Sequence, residues 1–178
     1  MSHRVLHTIE MDLSVQSINN AIKEVNYFRE QLEQMCIDLA KKLVDDGVEI
    51  AKMQVVSMDA WFTGALEQSI KGIYLAEKHC GYVYTNSPHA LFVEFGTGYV
   101  GEQGQKHPMH GEVGWAHDIN EHGAGGWWYP ADFGWYIPEG SNTKLAWTNG
   151  MEARPFMYNT MKWLEEVAER EGIDMFGR

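Results

Sequence analysis

The chain has 178 residues and a formal net charge of -11, and these two numbers exclude several classes of protein. A protein that grips nucleic acid by neutralising phosphates needs a basic face, which this charge argues against. No apolar run approaches the ~20 residues of a membrane span, and no basic-then-apolar signal sequence opens the chain. We therefore expect a soluble protein that stays in the cytosol where it is made, folded as a single domain over residues 1–178.

The first third of the chain predicts a strand followed by a long helix. Apolar and polar residues alternate over residues 4–12, which is the period of a strand. From Ile18 to Val55 apolar residues recur at helical spacing and predict one buried stripe, with a bend or break near Asp45-Asp46-Gly47. Cys36 lies on this stripe, so we expect a small buried hydrophobe there and no disulfide framework with Cys80. The stripe comprises Ile18, Ala21, Ile22, Val25, Leu32, Cys36, Leu39, Leu43, Val48, Ala51 and Val55.

A turn at Thr63-Gly64 and a hairpin are predicted next. The residues from Ser69 to Glu77 and from Tyr82 to Thr85 favour two strands, with the turn between them at Gly81. After this hairpin comes the apolar run Ala90–Phe95. We predict that the run is extended, with Leu91, Val93 and Phe95 on one face, and that it ends in a glycine turn.

Residues 99–145 differ in kind and are predicted to be an insertion within the domain. The segment from Gly96 to Gly140 holds 11 of the 18 glycines, four of the seven tryptophans and four of the eight histidines. A loop this long is usually functional or ordered by a partner. Because glycines cost backbone entropy to fix, we expect residues 99–126 to be mobile and the aromatic part from Trp127 to Tyr136 to pack on the body or a partner.

The last part of the chain predicts a strand from Lys144 to Thr148 and a helix. Pro155 suits the first turn of this helix, and Gly172 is predicted to end it. Its predicted buried stripe comprises Met157, Met161, Leu164 and Ala168. The fold class that follows is α+β: an antiparallel sheet packed against a long N-terminal helix and a C-terminal helix, with a long Gly/Trp/His-rich insertion.

Three short motifs follow one another along the chain. Residues 63–70 are Thr-Gly-Ala-Leu-Glu-Gln-Ser-Ile, residues 93–98 are Val-Glu-Phe-Gly-Thr-Gly, and residues 153–156 are Ala-Arg-Pro-Phe. Together they resemble the motifs of the tail-completion, or head–tail joining, proteins of long-tailed bacteriophages and prophages, a family also described as minor tail components. The residues that carry the resemblance are Thr63, Gly64, Glu94, Phe95, Gly96, Thr97, Gly98, Arg154, Pro155 and Phe156.

The resemblance implies a structural function without catalysis or a cofactor. Copies of such a protein form a ring at the neck of the virion, and DNA passes through it without being bound. The partners that it implies are the chain itself, the head connector and the tail tube, with no membrane involved. It also implies assembly in the host bacterial cytoplasm and a final location in the virion.

The histidines of the insertion offer an alternative, a metal-dependent hydrolase. Carboxylates lie among His107, His110, His117 and His122, and imidazoles with carboxylates can bind zinc. The spacing of these histidines matches no helical motif with two histidines. The surrounding glycines also make the backbone too flexible to hold the histidines in fixed positions. We therefore favour a loop that is solvated or packed on aromatic rings.

The aromatic residues of the insertion favour a contact with another protein. Tryptophan and tyrosine bury a large area at small entropy cost, so they are common at interfaces. A small core private to the loop and a carbohydrate-binding module are the alternatives. The predicted contact residues are Trp115, Trp127, Trp128, Trp135 and Tyr136.

Two charged residues of the motifs, Glu94 and Arg154, are predicted to have structural functions. Glu94 stands alone before a glycine turn, so we expect it to accept hydrogen bonds from nearby backbone rather than to act as a general base. Arg154 precedes a proline at a helix start and is predicted to pair with an acidic residue or a carbonyl.

Overall fold

The computed structural model of the chain describes residues 8–60 and 64–176. The predicted α+β class is confirmed, because a long N-terminal helix and a C-terminal helix accompany two antiparallel sheets of two strands each. The helices are α1 (Val15–Ser57), α2 (Ala65–Ser69), α3 (Ala90–Phe95), α4 (Gly98–Gln103), α5 (His110–Val113) and α6 (Phe156–Phe176). The strands are β1 (Ile70–Leu75), β2 (Cys80–Thr85), β3 (Trp127–Pro130) and β4 (Leu145–Thr148). Among these described residues, no helix is long and apolar enough to span a membrane.

The chain divides into two compact units. Among the described residues, one unit contains residues 8–48, 72–83 and 162–176, and the other contains residues 49–60, 64–71 and 84–161. We call them the first and second units. The organisation of the chain as one domain with an insertion at residues 99–145 stays a prediction.

In the first unit the β1–β2 hairpin lies against α1 at Val44. A Cβ atom on Gly72 would lie 2.5 Å from Val44 Cγ1, and one on Gly81 would overlap Val44 as well. Gly81 therefore belongs to strand β2, and the hairpin turns instead at Ala76–Lys78 and His79, whose φ is 48°. The predicted turn at Gly81 was wrong because this glycine provides a close approach to a helix, a need that the local sequence does not reveal.

Helix α1 continues without a break through the position where an interruption was predicted. At Gly47 a Cβ atom would lie 2.8 Å from Val83 Cγ2 and 3.0 Å from Leu164 Cδ1. The residue is buried. Because Gly47 has no side chain, α1, β2 and α6 can approach closely within the first unit. This packing explains why a residue of low helix propensity occurs inside the helix.

The stripe of α1 is buried mainly toward its C-terminal end, although Ala21 near the N-terminal end is buried as well. Ala51 and Val55 are fully buried, whereas Ile22 and Val25 each keep 53% of their surface exposed. Cys36 is exposed too, so the prediction that it is a buried hydrophobe was wrong. The spacing of apolar residues is the same in both halves of the helix. What differs is that the described residues do not cover most of the N-terminal half.

Two predicted strands have other structures. Residues 8–12 are irregular, and residues 4–7 of the same predicted strand lie outside the described residues. The run Ala90–Phe95 is helix α3 rather than extended, with Ala90, Val93 and Glu94 buried at helical spacing and Leu91 exposed. A six-residue apolar run fits a buried strand and a short helix equally well by periodicity, which explains the error.

The other predicted elements are present with shifted bounds. The first hairpin strand begins at Ile70, after Ser69 has ended α2, and β4 matches the strand predicted from Lys144 to Thr148. In α6 the fully buried positions are Phe156, Thr160 and Val167, while Met161 is 41% exposed, so the predicted stripe was off by one position. The helix also continues past Gly172, where a side chain would meet open space.

Candidate functional site

Glu94 lies at the centre of a joint that connects two of the sequence motifs. Its side chain is 8% exposed, with Oε2 accepting a hydrogen bond from the Met157 amide at 2.9 Å and Oε1 one from the Tyr158 amide at 2.9 Å. These amides belong to the first turn of α6, where N–H groups have no partner within the helix and the dipole favours a negative charge. Glu94 therefore caps a helix whose amides lie more than 60 residues further along the chain.

His107 fixes the same carboxylate from the other side. The Met109 amide donates to His107 Nδ1 at 3.0 Å, so the ring proton is on Nε2. Nε2 in turn donates to Glu94 Oε1 at 3.0 Å. The ring also packs on Phe95, with centroids 4.2 Å apart, and His107 is only 4% exposed. The histidine is thus a fixed structural donor.

The backbone completes the joint. The Arg154 amide donates to the Val93 carbonyl at 2.8 Å, and Thr97 and Met151 exchange two hydrogen bonds of 2.9 and 3.0 Å. Gly96, at φ 79°, lets the chain pass so close to these residues that a Cβ atom would lie 2.7 Å from the Ala153 nitrogen. We call these contacts and those of Glu94 the Glu94 joint.

The predictions for the motif residues have mixed outcomes. Glu94 accepts hydrogen bonds from backbone as predicted, but from remote amides rather than nearby ones. Arg154 was predicted to pair with an acidic residue or a carbonyl. Its side chain is in none of the ion pairs of the described residues, and it is its backbone amide that donates to a carbonyl, that of Val93. Gly64, at φ 74°, precedes α2, while Thr63 lies outside the described residues.

The four histidines of the insertion do not converge. His107 bonds to Glu94, His122 Nδ1 lies 3.0 Å from Asp118 Oδ1, and His110 packs on His117 with ring centroids 4.8 Å apart. Within residues 8–60 and 64–176, no group of three His, Cys, Asp or Glu side chains is placed to hold a metal ion. The arrangement therefore offers three separate structural contacts.

His110 and His117 form a second buried contact in this segment, with ring centroids 4.8 Å apart. His110 Nδ1 and His117 Nε2 are buried and have no hydrogen-bond partner among residues 8–60 and 64–176. Burial lowers the pKa of His117 below its ordinary 6.5, and the nearby His110 and Lys106 lower it further. The folded chain therefore resists protonation of His117 more than the unfolded chain does.

We predict that stability falls as the pH drops from 7.5 through 6.5. In that window the unfolded chain binds a proton at His117 before the folded chain does, which favours unfolding. Urea midpoints at pH 7.5 and 5.5 measure the effect, and His117→Gln should make the dependence shallower. His89→Gln, at an exposed position, is the control and should leave it unchanged. Asp118 does not contribute to this pH dependence, because the amides of His122 and Gly123 lower its pKa below the ordinary value of 3.8.

Two of the predicted contact tryptophans face inward. Trp115 Nε1 donates to the Gly96 carbonyl at 2.9 Å, and its ring stacks on Phe95 with centroids 5.2 Å apart. Trp127 stacks on His122 at 4.5 Å and lies so close to Gly98 that a Cβ there would come within 2.7 Å of its ring. Both rings are part of the frame around the Glu94 joint.

The other predicted contact residues are exposed and adjacent. Trp128, Trp135 and Tyr136 are 41%, 76% and 44% exposed, and the ring of Trp128 lies 5.0 Å from each of the other two. Trp147, directly opposite Trp128 in the β3–β4 pair and 45% exposed, extends the group. We call these four residues the aromatic surface. Trp147 was missed because it lies outside the glycine-rich segment, although the strand predicted there placed it one residue from the buried Ala146.

The first half of the insertion contains α4, α5 and the buried His107, while the second half exposes Trp128 and Trp135. The expected mobility of the first half and the packing of the second half on a partner stay predictions. An open apolar groove of about 310 Å³ lies beside the joint, lined by Leu91, Met109 and Met161 among others. Its buried polar side chains, Glu94 and His107, are both held in structural hydrogen bonds.

The Glu94 joint and the aromatic surface are the two features of this chain that bear most directly on function, and both belong to the second unit. In comparisons with known proteins, no protein-family model, no curated protein and no solved structure matches the chain.

Proposed function

We propose that this chain is a structural component of the neck of a long-tailed bacteriophage or prophage particle. Copies of it form a ring that joins the head connector to the tail tube, without catalysis or a cofactor. The Glu94 joint carries the proposal. Two motifs of the resemblance, about 60 residues apart, meet there through Glu94 and the start of α6 and through Val93 and Arg154. Short matches that arose by chance have no reason to meet in space.

The groups available for chemistry support a structural function over a hydrolase. A general base must be free to take a proton from a substrate. Glu94 already accepts two amide hydrogen bonds and one from His107, and the carboxylate of Asp118 bonds to His122 and to the Gly123 amide. These side chains hold the second unit together.

The aromatic surface supports a protein partner over a carbohydrate. A sugar ring stacks on a flat aromatic platform, but Trp128 meets Trp135 at an interplanar angle of 68° and Tyr136 at 44°. Such an uneven apolar surface instead suits the side chains of another protein. The net charge of -11 supports passage of DNA without binding, because each phosphate neutralised by a protein adds affinity.

Removal of the gene from the phage or prophage that encodes this chain tests the proposal. The expected result is a population of separate heads and tails in electron micrographs, since the joint between them cannot form. Supplying the wild-type gene from a plasmid should restore joined particles. Normal joined particles without the gene would overturn the proposal.

In the same complementation assay we predict that the double variant Trp128→Ala, Trp135→Ala restores at most about a tenth of the wild-type titre. Loss of one interface hot spot costs about 2 kcal/mol or more, which exceeds a tenfold change in affinity. The thermal midpoint of the purified variant should remain close to that of the wild type, because both rings are exposed.

The matched control for this variant is Tyr27→Ala. Tyr27 is also an exposed aromatic residue, 64% accessible, but it lies on α1 in the first unit. It should support a wild-type titre. Full complementation by the double variant would show that the aromatic surface is not a virion contact.

A further inference from the structure

One stretch of α1 is exposed around its whole circumference. Ala21 is buried, but every residue from Ile22 to Gln34 is exposed, which at 1.5 Å per residue is about 20 Å of helix. We call this stretch the arm. One of its faces is apolar apart from Arg29, whose long stem can itself lie along an apolar surface. The apolar residues of this face, which we call the arm stripe, are Ile22, Val25, Phe28 and Leu32.

The arm lies before the contacts that α1 makes with its own unit. The Lys41 ammonium is 5.7 Å from the centre of the Tyr74 ring in β1. The Lys42 ammonium is 3.3 Å from a carboxylate oxygen of Glu171 in α6. Most helical stability comes from packing of an apolar face, so the arm becomes more stable when its stripe is covered.

The β1–β2 hairpin has an apolar face that points away from α1. A Cβ atom on Gly72 or on Gly81 would crowd Val44 of α1, so these two positions face the helix. Because successive side chains of a strand point to opposite faces, the neighbours of both glycines point the other way. On that side the Cys80 Sγ lies 3.4 Å from the Tyr82 hydroxyl. We call the apolar residues of this side the outer hairpin face: Ile73, Leu75, Cys80 and Tyr82.

The outer hairpin face suits a covering helix from a second copy of the chain. Ile73 is 42% and Tyr82 49% exposed, and an apolar sheet face is stabilised when a helix packs on it. Helix α1 of the same chain cannot provide this cover. It is continuous from Val15 to Ser57 and already lies on the opposite face of the hairpin. The arm of a second copy has both the secondary structure and the apolar face that are needed.

We propose that the arm of one copy packs, through the arm stripe, on the outer hairpin face of the next copy. The two surfaces differ, so the contact is heterologous, and each copy gives one arm and receives another. Repeated around an axis, such contacts form a ring whose centre stays open for DNA. That the contacts close into a ring rests on the proposed function. One helix face on two strands is a small contact, and interfaces below about 1,200 Å² are weak or transient.

Disulfide trapping between two variants tests the proposal. The arm variant has its one thiol on the arm stripe, as Val25→Cys with Cys36→Ser and Cys80→Ser. The receiving variant, Cys36→Ser, keeps the natural Cys80. After mild oxidation of an equal mixture, the mixed dimer should be roughly tenfold or more above that obtained with Tyr27→Cys, on the opposite side of the arm, because association raises the effective concentration of the thiols. To cover the possible registers, three other positions replace Val25 in turn: Ile22→Cys, Phe28→Cys and Leu32→Cys.

The identity of the dimers shows what the arm contacts. Self-dimers of the arm variant in excess over mixed dimers would show that two arms pair with each other. No excess of mixed dimers at any of the four stripe positions would show that the arm and the outer hairpin face do not meet. Either result would overturn the proposal, and neither depends on a substitution in the receiving face.

Substitutions in the receiving variant identify the receiving surface independently. Ile73→Glu should lower the yield of mixed dimer roughly tenfold, because a charge buried against apolar side chains is costly. Leu91→Glu is the control, since Leu91 is exposed too but lines the groove beside the Glu94 joint. A yield that falls with Leu91→Glu and not with Ile73→Glu would place the arm in that groove, contrary to the proposal.

The inference and the proposed function can fail separately. If the arm does not link to Cys80 but the gene is needed to join heads and tails, only the arm contact is overturned. If the arm links as expected but the gene is dispensable for joining, only the neck function is overturned.

Discussion

Replacement of Glu94 by alanine is expected to lower the free energy of unfolding by about 3–5 kcal/mol, the usual effect of breaking a buried charged network. The variant loses the cap of α6 and leaves three donors without their partner: the amides of Met157 and Tyr158 and the Nε2 of His107. Each buried donor left unsatisfied costs about 1–3 kcal/mol. Urea denaturation followed by circular dichroism measures the change.

Two further variants make the result specific. Glu94→Gln keeps one carbonyl acceptor but places an NH₂ group against one of the donors. The free energy of unfolding of this variant should therefore lie between that of the wild type and that of Glu94→Ala. Glu139→Ala removes an exposed carboxylate from the same unit and should change stability by less than about 0.5 kcal/mol. Equal stability of Glu94→Ala and Glu139→Ala would refute the capping function of Glu94.

Replacement of Gly96 by alanine is expected to cost about 3–5 kcal/mol, for a different reason. At φ 79° and ψ 166° a side chain is strained by about 1–3 kcal/mol. In addition, the new Cβ would lie 2.7 Å from the Ala153 nitrogen and 2.8 Å from the Met151 carbonyl oxygen. These are backbone atoms of the Glu94 joint, which cannot move aside as a flexible side chain does, and the crowding costs about 1–3 kcal/mol more.

Gly111→Ala is the matched control for Gly96→Ala. Gly111 lies in helix α5, and a Cβ atom there would meet no atom of the part of the chain that the structure describes within 4 Å. Because alanine is the better helix former, this variant should be as stable as the wild type or more stable by up to about 1 kcal/mol. If both glycine variants unfold at the same urea concentration, the close approach at Gly96 is not important for stability.

The elements with many periods of one pattern could be predicted from the sequence. Helix α1 shows its apolar spacing over eleven positions, and the β1–β2 hairpin, β4 and α6 follow equally regular patterns. The predicted bounds of these elements were shifted, because the periodicity of apolar residues does not show which tertiary contacts an element makes. The turn at Gly81 was misplaced for this reason: only the position of Val44 explains why that residue is a glycine.

The Glu94 joint could be predicted only in part. The position of a lone acid before a glycine turn predicted that Glu94 accepts backbone hydrogen bonds, but local sequence cannot identify donor amides more than 60 residues away. Likewise, the composition of the insertion indicated an aromatic contact surface but did not separate Trp115, which packs inward, from Trp135, which is exposed. That difference depends on tertiary contacts, because both side chains have the same chemistry.

The paired backbone hydrogen bonds between Thr97 and Met151 have a consequence for how this chain can evolve. They bring the two ends of the intervening segment to one point, so the segment leaves and re-enters the second unit at the same place. Doubling the length of a flexible loop closed in this way costs only about 0.6 kcal/mol of closure entropy. His107, Trp115 and Trp127 of this segment belong to the surroundings of the joint and must stay. Only its exposed parts, such as the loop around Gly140, can therefore be lengthened or exchanged to change partner specificity while Glu94 continues to cap α6.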